Sequence, residues 1–88
     1  MRSLYELLVT EKNCMDRIET FESEMKSISD TIAELEAYPF DSAAKMHDIE
    51  RKHELLSKTI NAKEAVEKDL HDIRAKIRDY FIVIARGE

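Results

Sequence analysis

The chain has 88 residues, 38% of them charged, with one Gly, one Pro, one Cys, no Trp and a formal net charge of −5. This composition excludes more than one small domain and the turn-rich profile of sheets. The lone Cys14 excludes an internal disulfide and a CxxC pair, and the acidic balance argues against nucleic acid as the main partner, because neutralising phosphates takes clustered Lys and Arg.

The segment after Met1-Arg2 is too short and too charged for a signal peptide. The longest apolar run, Tyr80 to Ala85, is far too short to span a bilayer. With one free cysteine, the expectation is a soluble cytoplasmic protein with no membrane partner.

Ser3-Leu4-Tyr5-Glu6 reads as a capping box that opens a first helix over about residues 3–38. Apolar residues then recur at Leu4, Leu7, Cys14, Ile18, Phe21, Met25, Ile28, Ile32 and Leu35, in steps of three and four, with Glu11 as the polar member. That is a heptad seam. Pro39 disfavours helix at Tyr38, so residues 39–42 are predicted as a turn. Phe40 is expected to fold back near Leu35 and Met46, and Asp41 or Ser42 to cap the next helix. A loop this short makes the helices antiparallel.

The second helix is predicted over about residues 43–86, with Gly87 as its stop. Its stripe reads Met46, Ile49, His53, Leu56 and Ile60, then Val66, Leu70, Ile73, Ile77, Tyr80 or Phe81, and Ile84. Between Ile60 and Val66 only Lys63 lies on the line. The simplest account is a somewhat wider apolar stripe with a snorkelling lysine; a stammer in the heptads is the alternative. Residues 1–38 carry four Lys/Arg against nine Asp/Glu, and residues 42–88 carry ten against nine, which favours pairing of unlike helices. Acid–base pairs four apart, such as Glu22–Lys26, Asp48–Lys52, Glu54–Lys58, Glu64–Lys68 and Asp72–Lys76, support each helix from a solvated face. A turn centred near residue 40 sets Leu35 opposite Met46, Ile32 opposite Ile49, Met25 opposite Leu56 and Leu4 opposite Ile77, with Glu11 in reach of His71 or Arg74.

The fold class is therefore all-α: a single domain over 1–88, a long antiparallel two-helix hairpin that dimerises into a four-helix bundle. On that register residues beyond Arg78 overhang the first helix. They are apolar on every side, and such a helix must be buried somewhere. The predicted contact surface is Tyr80, Phe81, Ile82, Val83 and Ile84 with Leu4, Tyr5 and Leu8; the alternative is an outer flank of Tyr5, Leu8, Val9 and Met15.

Chemistry-bearing patterns are few. Glu50-Arg51-Lys52-His53 has the Glu-x-x-His spacing of di-iron bundles, so Glu50 and His53 are the candidates if a metal binds at all. Four-residue motifs of this kind arise freely in charge-rich helices, and His53 reads more simply as a seam histidine. Arg74, Lys76 and Arg78 form a short basic patch flanked by Asp72 and Asp79. Without a phosphate loop or nucleophile elbow, no enzyme activity and no cofactor are expected. The leading function is a protein-interaction module (adaptor, small chaperone, assembly factor or regulator) whose partner is a second copy or another helical protein. A metal-binding, ferroxidase-like bundle and a nucleic-acid-associated regulator are the alternatives. In general shape such a hairpin resembles the small hairpin chaperones of secretion systems and the hairpins that inhibit kinases or polymerases. Leu4-Tyr5-Glu6-Leu7 resembles the opening of some phage coiled-coil proteins over those four residues.

Overall fold

The computed structural model describes residues 3–40 and 42–87. Two helices, α1 (Leu4–Ala37) and α2 (Ala43–Ala85), lie against one another in a rod with extents of 69 × 15 × 14 Å. The predicted helices are there, drawn in by about a residue at three of their four ends. Their caps arise from the sequence: Ser3 Oγ accepts from the Glu6 N–H at 3.2 Å, and Ser42 Oγ from the Lys45 N–H at 3.1 Å. Each satisfies one of the orphan donors at a helix start. Asp41, the other candidate cap, lies outside the described residues. At the far end Gly87 takes φ +73° and its N–H reaches the Ile84 carbonyl at 3.0 Å, a left-handed stop that glycine adopts without steric cost.

Along α1 the buried and half-buried positions are 4, 7, 11, 14, 18, 21, 25, 28, 32 and 35, with Thr10 and Thr31 at the margin. This is the predicted seam. Along α2 they are 45, 49, 52, 56, 59, 63, 66, 70, 73, 77 and 80, with Ile60, Ala62 and Ala75 at the margin. The steps alternate four and three without a break, so the seam has no stammer. The predicted line through Met46 and His53 is corrected here: both are exposed, and the seam runs through Lys45, Lys52 and Thr59. The phase is set where packing is strongest, at Val66, Leu70 and Ile73, which are 3–9% exposed. A continuous helix carries that phase backward whatever residues it meets. Lys45, Lys52 and Lys63 lay their aliphatic stems in the seam, and the buried Thr59 hydroxyl donates to the Leu55 carbonyl at 3.0 Å.

The register also differs from expectation. Glu11 pairs with Arg74 and Glu22 with Lys63, while Cys14, Val66 and Leu70 form the buried cluster with Ile18 and Phe21 against it. Residues at one level therefore have numbers adding to about 85, where a symmetric turn at residue 40 gives about 81. Leu35 comes level with Ile49 or so, and Leu4 with Tyr80. The cause is the loop. Tyr38 is extended (φ −68°, ψ 129°), as a residue before proline should be. An extended residue advances about 3.3 Å against 1.5 Å for a helical one. Tyr38 and Ser42 (φ −137°, ψ 158°) are both extended, and two such residues cover about as much length as four helical ones. The Lys45 ammonium ties this loop by donating to the Tyr38 carbonyl at 2.7 Å. Phe40, expected to cover the end of the seam, stays 74% exposed, because no third element lies beyond the loop.

A seam through position 52 and not 53 makes a direct prediction. Lys52→Leu should stabilise the hairpin by about 1 kcal/mol, or about 4–8 °C for a small domain. His53→Leu should change stability by no more than ~0.5 kcal/mol. Thermal melts in the reverse order would place the seam on His53.

Candidate interaction surface

Two helices bury one stripe of each other and nothing else. The described core is Leu7, Cys14, Ile28, Ile32, Val66, Leu70 and Ile73, with Thr59, and no side chain in it is less than 2% exposed. The large apolar residues left outside are unevenly placed. Tyr5, Leu8, Val9 and Met15 on α1, and Phe81, Ile82, Val83 and Ile84 on α2, are 40–76% exposed and gather at the end where α1 begins and α2 finishes. Tyr38, Phe40 and Met46 are 59–74% exposed at the loop end. Between the two ends only Leu55 is a large exposed apolar residue among those described.

Of the predicted contact residues, Leu4 and Tyr80 are half-buried seam members, and Tyr5, Leu8, Phe81, Ile82, Val83 and Ile84 form the exposed end. Because the register is shifted, the overhang starts near Phe81 and not at Asp79. The predicted alternative flank, with Val9 and Met15, is part of the same surface. Arg74 shows this: its Nη2 donates to Met15 Sδ at 3.6 Å, and its Nε to Glu11 Oε2 at 3.1 Å. One heptad outward from Met15 is Leu8, and one heptad outward from Arg74 is Phe81, so those two share the flank. The loop-end cluster is hidden in the sequence, where Phe40 reads as a residue that folds inward.

Along this flank Lys12, Arg74 and Arg78 are interspersed with Tyr5, Leu8, Met15 and Phe81, and farther in come Glu19, Glu22, Glu64 and Glu67. Two cross-helix ion pairs among the described residues lie here: Arg74 to Glu11, and Lys63 Nζ to Glu22 Oε1 at 3.4 Å. Glu22 thus turns across to α2 and away from Lys26, while Glu54–Lys58 closes along its own helix at 3.9 Å. Of the basic patch, Arg74 is engaged with α1, and Lys76, two residues on, faces the opposite side of the helix.

Glu50 and His53 are both exposed. The described residues contain no group of three or more His, Cys, Asp and Glu that could hold a metal ion, so the geometry adds no ligand to that pair. Cys14 is buried in the core cluster. An open groove of about 690 Å³ is lined by Thr31, Leu35, Lys52 and Leu55 with charged residues of α2. No helix of the described residues is long and apolar enough to cross a membrane.

No protein-family model, curated protein or solved structure matches the chain.

The Glu11–Arg74 pair joins a 26% exposed carboxylate side chain to a 53% exposed guanidinium. A double-mutant cycle with Glu11→Gln and Arg74→Gln should give a coupling of about 0.2–1 kcal/mol, and ~1 M salt should reduce it. Zero coupling at low salt would mean that this pair adds nothing to the hairpin's stability in this register.

Proposed function

We propose that this protein is a non-catalytic interaction module that works by helix packing through the end formed by the start of α1 and the finish of α2. Its partner is a second copy, the two hairpins joining as a four-helix bundle, or another helical protein, which makes it an adaptor, small chaperone, assembly factor or regulator. The observation that supports this is the exposed apolar end itself. Contiguous apolar patches beyond about 300–600 Å² are uncommon on monomers and mark contact sites, and here eight large side chains gather at one end of a rod whose middle is polar. The unpaired Cys14 suits a reducing, cytoplasmic setting.

Phe81 and Ile84 are 52% and 54% exposed, so replacing them costs the hairpin little. Buried in an interface, each would contribute up to roughly 1.5–3 kcal/mol. Phe81→Ser with Ile84→Ser should therefore abolish assembly or partner capture while circular dichroism shows undiminished helicity. Unchanged assembly and unchanged capture would put the working surface elsewhere.

A further inference from the structure

Resting on that reading of the apolar end, we infer that its occupant is a second copy of this chain, laid antiparallel along one flank and centred on Met15. The basic stretch of each copy then meets the acidic stretch of the other. The order of charges along that flank carries the inference.

Arg74 beside Met15 shows that the heptad e positions of both helices share one side of the rod, and the groove that joins Thr31 to Leu55 puts the g positions on the other. The e side, with the b positions next to it, carries Lys12, Arg74 and Arg78 toward the tail end. Glu19, Glu22, Glu64 and Glu67 follow toward the loop, and all of these side chains are exposed. On the g side the signs are mixed, with Lys76 set between Asp72 and Asp79. Among the described residues, no ion pair within the hairpin uses Arg78, Glu19, Glu64 or Glu67.

A two-fold interface uses the same patch on both copies, and the position of the axis decides what meets what. The pairs Glu11–Arg74 and Glu22–Lys63 fix the levels: Arg78 is level with Leu7, Glu67 with Ile18, Glu64 with Phe21 and Ile60 with Met25. An axis along the rods sets every level on itself, cation on cation and carboxylate on carboxylate. An axis across the rods at the tail again brings the three cations together. Like charges set opposite one another across an interface are strongly disfavoured. An axis across the rods at Met15 does the reverse. Lys12 of each copy comes over Glu67 of the other, Arg74 over Glu19, and Arg78 over Glu22 and Glu64. Met15 meets Met15 at the centre, and Phe81 with Tyr5 reaches the half-buried Ile60 of the other copy. Of the flank's remaining cationic positions, His71 lies near the axis and Lys26 comes level with Phe81.

Length and charge reversal test this together. Met15 lies about 25 Å from the tail end at 1.5 Å per residue, so two rods of 69 Å overlapping about that point reach about 90 Å, whereas a same-direction bundle stays near 70 Å. Size-exclusion light scattering with small-angle X-ray scattering on the full chain, at low salt, should show a dimer with a maximum dimension of about 90 Å. Lys12→Glu and Glu67→Lys, each alone, should raise the dissociation constant by at least about tenfold, because the symmetry introduces each like-charge contact twice. An equimolar mixture of the two variants should dimerise within about threefold of the original affinity, since each reversed residue then meets its opposite on the other chain. No effect confined to one hairpin can produce that recovery. A folded monomer throughout, a dimer near 70 Å, single reversals without effect, or a mixture that dimerises no better than its components would each overturn the pairing. Those failures leave the contact-surface reading standing, since it falls only if the Phe81 and Ile84 changes alter neither assembly nor capture.

Discussion

Two helices and nothing else can cover one stripe of each other, and everything in this molecule depends on that constraint. The apolar positions at alternating steps of three and four close into a single seam, with Cys14, Val66 and Leu70 as its best-buried cluster. A core one layer thick leaves even its central residues slightly open to solvent. Small cores supply only a few kcal/mol, so any large apolar residue off the seam is surface that the hairpin itself cannot remove from water. These residues gather at the two ends, while the middle is clothed in charge. On the proposed reading, folding and function separate along the rod: the middle holds the hairpin together, and the ends are left for contact with a partner.

The loop decides how the two helices meet. Pro39 holds Tyr38 extended, and the extra advance of that extended backbone shifts α2 outward before it returns. The surplus of nine residues in α2 over α1 is thereby divided between the ends and not confined to one. One share makes the apolar tail of α2, and the other carries the start of α2 past the end of α1 at the loop. Ion pairs then agree with the register without creating it. Glu11 with Arg74 and Glu22 with Lys63 join at matching levels, yet each is exposed enough to contribute little.

Much of this is legible in the sequence, for identifiable reasons. Helix starts and stops depend on short-range chemistry, so Ser3, Ser42, Pro39 and Gly87 can be read locally. The α1 seam can be read because its apolar residues are themselves the seam. The first half of α2 cannot, since Met46, His53 and Ile60 look more like core than Lys45, Lys52 and Thr59 do. There the phase is dictated from Val66 onward by an unbroken helix, and lysine stems fill the positions it dictates. Register escapes the sequence because counting residues through a loop ignores that extended residues advance farther than helical ones. Of the candidate site, the tail of α2 is visible as an all-round apolar run. That α1 contributes Leu8 and Met15 to the same flank emerges only once Arg74 is seen bonding to Met15.

The end shared by residues 5–15 and 80–85 stands or falls as a contact surface on whether it becomes covered. Amide hydrogen exchange followed across a wide range of protein concentration tests this most directly, because helix ends that fray in the free hairpin become protected when covered. Protection at residues 5–9 and 80–85 should rise with concentration, or on addition of the true partner, while residues 43–60 keep the same rates. Protection that rose uniformly along both helices, or only at the loop end around Tyr38 and Met46, would contradict it.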